Sequence, residues 1–412
     1  MSSKKTKKKE RKRRTKRRTT RTTTQRRTTR TTTQRTTSHN ETNKNTFLIK
    51  SKYINMEKAR QSFLKRGNWV EFNLNSKKHP DFLYVDSTYI QDSRLWKYKP
   101  LIKNIVNDDK YSIAYKHTLY TNMVKLKEAK PYILQQENID LIKYQRGDGL
   151  SKFKSFFNKY KVCIFKPVGG FAGKGIQIFD NYEDFYNHCR TIIEKNKHRW
   201  NNTKNNNKKN KVITLREWIL QEYINKPLLF EGKKFHLRVF FLYCKKYDNT
   251  LKKVVKKGFF FEDIPILTAL KKYKEGDYFD NKMHDTRYKY VKNPVYFTRD
   301  FKKLYGSKNT NKALKDLKTI FKNVLKCIDA GCYSESKYCF ELFGADVMLD
   351  SDFNMKLIEV NTKVGYNYNF FEGRPNNIDI DKTMMDNLLE VVIDDIIPPK
   401  NKVKKYNKFI EV

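Results

Sequence analysis

Several things are missing from this chain. No apolar run approaches the ~18 residues that a membrane span requires. No apolar segment follows the basic N-terminus, so a secretory signal is not expected. The 412 residues hold six cysteines and no CxxC pair, which argues against a zinc site or a disulfide framework. The thiols therefore read as mostly core filler in a reducing, cytoplasmic compartment, and the basic N-terminus leaves a nuclear one open.

Acid is scarce as well. Asp and Glu total 44 against 88 Lys and Arg, a formal charge of +44. That excludes a neutral or acidic surface and implies a polyanionic partner. The chain is 38% hydrophobic and 14% aromatic, so it is not simply disordered. Its length fits two or three domains at about 150 residues each, and a real core can be buried.

Residues 1–46 stand apart. They carry 18 Lys and Arg against Glu10 and Glu41, a net of +16, with almost no apolar residues. Such a segment cannot offset its ordering entropy and is predicted to be disordered. Within it Arg18–Arg26 reads RTTRTTTQR, and Arg27–Arg35 repeats it letter for letter. The repeat reads as a low-complexity polycation suited to phosphate or carboxylate. A second biased stretch, NNTKNNNKKNK over 201–211, reads as a surface loop.

From Phe47 onward apolar segments alternate with turn residues. Val162–Phe165 and Gly175–Phe179 read as strands around a Gly-rich turn. Asp180 is placed to cap a helix in which Tyr182, Phe185, Tyr186, Cys189, Ile192 and Ile193 share one face. Strands are expected around Ile213–Ile224, Phe235–Cys244, Tyr338–Leu349 and Met355–Val360. Helices are expected over Ala313–Ala330 and from Met384 through Ile396, stopping at Pro398–Pro399. Strands interleaved with helices indicate a mixed α and β fold.

Three constellations carry chemistry. The first is KPVGGFAGKGI, from Lys166 to Ile176. Gly169, Gly170, Gly173 and Gly175 let the backbone approach a ligand and aim N–H groups at phosphate, and Lys166 can reach the same phosphates. It is neither a Walker A loop nor a GxGxxG fingerprint. The second is Gln221, Glu222, Tyr223 and Ile224, followed by Lys234, His236 and Arg238. The last three share one face of a strand, and such a row repels itself unless an anion sits among it. The third is Asp346 in an apolar strand, with Glu359 and Asn361 on one face of the next. Three oxygen-bearing side chains suit Mg²⁺, and buried carboxylates need such a partner or a salt bridge.

In this order and spacing the motifs FKPVGGFAGKGI, LQEYINKPLL, GKKFHLRVFFL, CFELFGADVMLD and LIEVNT resemble the tubulin–tyrosine ligase-like family of the ATP-grasp ligases. The likeness covers about 160–361 and extends weakly back to about 65. It implies an α+β, ATP-grasp fold in which two α+β subdomains hold ATP. The corresponding division is a tail over 1–46, a small N-terminal α/β domain over 47–112, a central subdomain over 113–223, a C-terminal subdomain over 224–399 and a basic tail over 400–412. It implies Mg-ATP chemistry through an acyl phosphate, ending in an amide or isopeptide bond. Position by position, Lys166 falls on a phosphate-binding lysine, and Gln221, Tyr223 and Ile224 fall on the adenine-lining stretch. Lys234 and, loosely, Lys116 fall on nucleotide-contacting lysines. Arg238 falls on the arginine facing the transferred phosphate, and Asp346, Glu359 and Asn361 on the Mg²⁺ ligands.

This chain also departs from the family pattern. His236 stands where the family has Asp, and Phe261 lies near an expected arginine. The HLTN element is at most a trace in Met283-His284-Asp285-Thr286-Arg287. The leading expectation is a ligase joining a free amino acid to a carboxylate of an acidic protein, such as a tubulin C-terminal tail, with ATP and Mg²⁺ as cofactors. The rival is a catalytically weakened ATP-grasp protein whose residues 1–46 bind nucleic acid or another polyanion.

Overall fold

The computed structural model describes residues 44–51, 56–86, 89, 92, 95, 97–104, 111–147, 150–168, 175–201, 216–248, 250–286, 295–328, 337–362, 364 and 380–412. The Arg/Thr repeat and the Asn/Lys-rich stretch 202–211 lie outside them. The first strand already begins at Asn45.

Strands β1 (Asn45–Lys50), β2 (Trp69–Glu71), β3 (Phe82–Val85) and β4 (Ile102–Asn104) pair in parallel in the order β4-β3-β1-β2. Strands β5 (Gln136–Asp140), β6 (Cys163–Pro167), β7 (Gln177–Phe179) and β8 (Glu217–Glu222) form a separate antiparallel sheet, β5-β8-β6-β7. The remaining strands are β9 (Leu229–Phe230), β10 (Lys233–Asp248), β11 (Lys253–Phe261), β12 (Pro265–Thr268), β13 (Val295–Tyr296), β14 (Tyr338–Leu349), β15 (Met355–Asn361) and β16 (Phe409–Glu411). These pair antiparallel around β10 and β14. Because β4 also pairs in parallel with β14, residues 45–104 join the C-terminal strands in one twelve-stranded sheet. The mixed α and β architecture expected from the sequence is present.

The large sheet is covered on both faces, which explains why β14 is buried from Cys339 to Leu349 without alternation, Glu341 and Asp346 included. On one face Phe241, Phe260 and Val239 pack against Leu317, Ile320 and Phe321 of the helix Lys302–Cys327. On the other, Phe240, Leu242 and Phe340 pack against Met384, Leu388 and Leu389 of the helix Ile380–Val392. The first of these helices begins eleven residues before Ala313. The early part was hidden because it lacks the apolar rhythm, and Gly306, at φ 77°, breaks it from the rest. The helix Tyr182–Asn201 is capped by Asn181, whose Oδ1 accepts the Asp184 N–H at 2.8 Å, rather than by Asp180.

The cysteines add to the sequence reading. Cys163, Cys189, Cys244 and Cys327 are free, but Cys339 is disulfide-bonded, its partner lying outside the described residues. The sequence reading, thiols that are mostly core filler and no disulfide framework, rested on the missing CxxC spacing, a test blind to a single wider bridge. No helix among the described residues is long and apolar enough to cross a membrane.

The N-terminal strands are tied to the C-terminal helix through charge. Arg66 is buried and donates to Asp394 from Nε at 2.7 Å and Nη2 at 3.0 Å, and to the carbonyl of Ser62 at 2.7 Å. Its Nη2 also reaches the Asp386 carbonyl at 3.2 Å. Removing one partner of a buried pair strands the other charge, at about 3–5 kcal/mol. Arg66→Ala should therefore lower unfolding free energy by about that amount in urea denaturation, and a loss under 1 kcal/mol would show the pair to be dispensable.

Candidate functional site

The Gly-rich segment joins β6 to β7, an antiparallel pair in which Cys163 lies opposite Phe179. Gly169, Gly170 and Gly173 fall outside the described residues. Gly175 adopts φ 78°, a left-handed conformation that glycine takes without strain. At the base of that segment Lys166 is buried and donates to Gln221 Oε1 at 2.8 Å. Gln221 Nε2 donates in turn to Gln136 Oε1 at 3.2 Å. Strand alternation puts these three on one face, while Phe165, Trp218 and Leu220 fill the apolar core on the other. Glu222 pairs with Cys163, so its side chain falls on that second face, away from Lys166.

The large sheet supplies the facing groups. Arg238 on β10, Asp346 on β14 and Glu359 on β15 stand side by side in register. Arg238 clamps Asp346 with Nε on Oδ1 at 2.6 Å and Nη2 on Oδ2 at 3.1 Å. Beyond Glu359 the ladder bulges, since Val347 pairs with Leu357 and skips Ile358. Bulges of this kind re-aim side chains at sites. Lys116, from the helix Lys116–Met123, pairs with Glu359 Oε2 at 3.0 Å, and Asn361 Nδ2 donates to Oε1 at 3.1 Å.

Lys234 and His236 extend the row along β10. Lys234 Nζ donates to Tyr223 Oη at 2.8 Å and lies 4.0 Å from that ring's centroid. His284 Nε2 must donate to the Asp277 carbonyl, 2.6 Å away, because a carbonyl only accepts. Its Nδ1 is then bare and accepts the Tyr223 hydroxyl at 2.8 Å. His236 Nδ1 lies 2.5 Å from Thr286 Oγ1, while its Nε2 is 3.6 Å from Asp346 Oδ1, beyond hydrogen-bond reach. Ile224 joins Leu134, Met348 and Ile358 in a small apolar patch between the two sheets.

The electrostatics follow from burial. Desolvation lowers the Lys234 ammonium to about 7. It lowers Lys166 to about 8, with Lys116 adding to the effect and Glu359 opposing it. Burial, with Arg238 nearby, drops His236 to about 3, so its imidazole is neutral. Burial alone would raise Glu359, but the charges of Lys116 and Lys166 outweigh it and hold the carboxyl at about 2. Burial pushes Asp346 upward against the pull of Arg238.

The residues expected from sequence thus gather at one place, except the three undescribed glycines and the side chain of Glu222. Phe261 is not at the site; it is buried in the core with its ring 5.1 Å from that of Phe409. Sequence reading missed Gln136, Leu134, Met348 and Ile358, which look like ordinary strand residues. It noted His284 and Thr286 only as a trace. A cavity of about 390 Å³ opens at the far end of β5 and β8, lined by Asn138, Glu217 and Lys143 among others and by none of the expected site residues.

What the fold and site define is a mixed α/β protein in which buried lysines and an arginine face carboxylates where two sheets meet. The sequence profile described as "Tubulin-tyrosine ligase family" matches residues 108–403, and the chain belongs to that family. It is 24% identical over 298 residues to "Probable tubulin polyglutamylase ttll-9" of Caenorhabditis elegans, covering 66% of this chain and 64% of the relative. It is 26% identical over 206 residues to "Probable tubulin--tyrosine ligase C12B10.04" of Schizosaccharomyces pombe, covering 46% and 45%. It is 22% identical over 265 residues to "Tubulin glycylase 3D" of Tetrahymena thermophila, covering 59% and 22%. The chain therefore spans less than two thirds of the length of each of these relatives.

The depressed lysines give a signed prediction. An unfolded lysine titrates near 10.4. Between about 7 and about 10 the unfolded chain thus holds more protons at Lys234 and Lys166 than the folded one. Stability should therefore rise with pH across that window, less so in Lys234→Met. An anion bound beside these amines would restore their charge.

Proposed function

We propose that this chain is an ATP- and Mg²⁺-dependent ligase that joins an amino acid to a carboxylate of an acidic protein, in the manner of the tubulin ligases it resembles. The observation that carries this reading is the convergence of Lys116, Lys166, Lys234 and Arg238 with Asp346, Glu359 and Asn361 at the meeting of two sheets. The reading places the protein in an ATP-grasp arrangement and in the cytoplasm with its acceptor.

The residues fit both cofactors. Mg²⁺ is bound through one or two carboxylates, with phosphates and water filling the remaining positions. Asp346, Glu359 and the Asn361 amide oxygen supply such a set. Among the described residues no group of three or more His, Cys, Asp or Glu is placed to hold a metal ion, so the ion would rest on two carboxylates with an amide, phosphate oxygens and water completing its shell. The ion would supply charge neutralisation on the transferring phosphoryl group. The patch of Ile224, Leu134, Met348 and Ile358 offers an apolar seat for a flat base, beside Gln221 and Gln136, whose amides can read its edge. Lys166 and Lys234, which donate to the amide of Gln221 and the hydroxyl of Tyr223, would hold phosphate oxygens.

Phosphoryl transfer asks a protein for positioning and charge stabilisation more than for covalent chemistry. In the proposed reaction an acceptor carboxylate oxygen takes the γ-phosphoryl group of ATP and releases ADP. The amino acid's amine then displaces phosphate from the acyl carbon. Arg238, fixed in place by Asp346, would face the charge that develops on the transferred group. The relatives carry three different donors in their names, and the altered positions His236 and Thr286 border the place where donor and acceptor would meet. The basic surface would draw in an acidic acceptor, an attraction that weakens with salt.

Thermal unfolding tests the reading directly. Mg-ATP at ~100 times its Kd should add about 2.7 kcal/mol, a rise of several degrees at roughly 2–4 °C per kcal/mol. The shift should require Mg²⁺ and shrink in Glu359→Gln. No shift at millimolar Mg-ATP in the unaltered chain would sink the proposal.

A further inference from the structure

Strands β10 and β11 run on past their neighbours as a two-stranded hairpin. Strand β14 accompanies β10 only as far as Lys246. Strand β16 covers β11 from Phe259 to Phe261, and Val412 N–H adds one bond to the Gly258 carbonyl at 3.1 Å. Residues Lys253–Lys257 of β11 pair with β10 on one side and, among the described residues, with no strand on the other. Parity tells which backbone groups face out. Gly258 turns its carbonyl toward Val412, so Val254 and Lys256 turn their N–H and C=O groups the same way.

The side chains along this edge are unusual in combination. Between residues 245 and 257 there are six lysines and one acid, Asp248. Tyr247 and Val254 are cross-strand partners, 46% and 47% exposed, and Leu251 in the turn is 56% exposed. Lysine on an edge strand ordinarily blunts aggregation. That accounts for the lysines but not for three uncovered apolar side chains among them.

We propose that the Lys253–Lys257 edge of β11 is a docking strand for an extended acidic polypeptide. The peptide's backbone would pair with the outward N–H and C=O groups of Val254 and Lys256, and an apolar side chain would rest on Tyr247 and Val254. Its carboxylates would meet Lys252 and Lys253, since Lys256 Nζ already donates to the Ile328 carbonyl at 2.8 Å and Lys257 pairs with Glu411 at 3.1 Å. Nucleic acid or an anionic membrane could satisfy the lysines but has no backbone to complete a β-ladder, so the open edge decides for a polypeptide. The inference does not depend on the ligase reading, since the hairpin shares no residue with the candidate site, and its test reads binding alone.

The experiment is fluorescence anisotropy of a labelled, Glu-rich dodecapeptide with a central valine, titrated with the full chain. An N-methylated copy of the peptide, unable to donate along one edge, should bind at least ~10-fold more weakly, the equivalent of about 1.4 kcal/mol. The polycationic N-terminus would hold both peptides equally, so equal affinities would overturn the proposal. Val254→Pro removes an outward N–H and spares the bonds to β10, and should lose ~10-fold with the salt dependence kept. Lys252→Glu with Lys253→Glu should lose affinity and flatten the salt dependence. Retained binding in both variants would overturn the proposal. So would single-stranded DNA or phosphatidylserine vesicles showing the same sensitivity to Val254→Pro, or that variant instead abolishing a dimer of the chain.

Discussion

Charge taken out of water must be paired, and the row Glu359–Asp346–Arg238 is where this chain meets that requirement. The three side chains sit on neighbouring strands in exact register, so sheet hydrogen bonding alone sets their spacing. Arg238 holds Asp346 at both oxygens, and Lys116 holds Glu359 from a helix that precedes the small sheet. Lys166, from the small sheet itself, is close enough for its charge to act on Glu359. The two sheets are thus related through charge, not only through apolar packing. Breaking a buried pair strands its partner, so side chains that could serve phosphate and metal are also tied into the structure that carries them.

Much of this was legible in the sequence because strand period two and apolar runs are local signals. Strand β14 falls where the run CFELFGADVML placed it, and the shared faces of Lys234, His236 and Arg238, and of Glu359 and Asn361, follow from alternation. What was not legible is non-local. Nothing in the sequence says that Asp346 lies opposite Arg238, because that depends on the register between strands 108 residues apart. The basic row on β10 finds an anion in this carboxylate, the salt bridge that the sequence left open beside a metal for a buried acid. Gln136 and the bulge at Ile358 were invisible for the same reason. The parallel pairing of β4 with β14, which merges the N-terminal strands into the main sheet, is likewise a tertiary choice.

The aromatic network around Tyr223 shows how a weak sequence trace gains meaning from its neighbours. Taken alone, His284 and Thr286 are two polar residues in a poorly matched motif. In space, His284 fixes the direction of the Tyr223 hydroxyl, which receives Lys234, while Thr286 holds His236. Tyr273 and Tyr278 anchor to the carbonyl and side chain of Asn225, just beyond Tyr223. The segment before the undescribed residues 287–294 is therefore stapled to the connection between the two sheets. A change there would reach the amines of the site through one or two hydrogen bonds.

His236 sharpens the electrostatic argument. A carboxylate at that position would have offered the neighbouring cations a third negative partner; a neutral imidazole does not. Four basic side chains, Lys116, Lys166, Lys234 and Arg238, then face two carboxylates. The imbalance shows in the chemistry of the amines: Lys166 rests on a neutral amide and Lys234 on a phenol, and both have lost part of their hold on a proton. An apolar core would not keep such groups, and water is mostly excluded from them. Neutral partners of this kind satisfy a buried lysine's hydrogen bonding without supplying the negative charge that would hold its proton, which is why both amines titrate low.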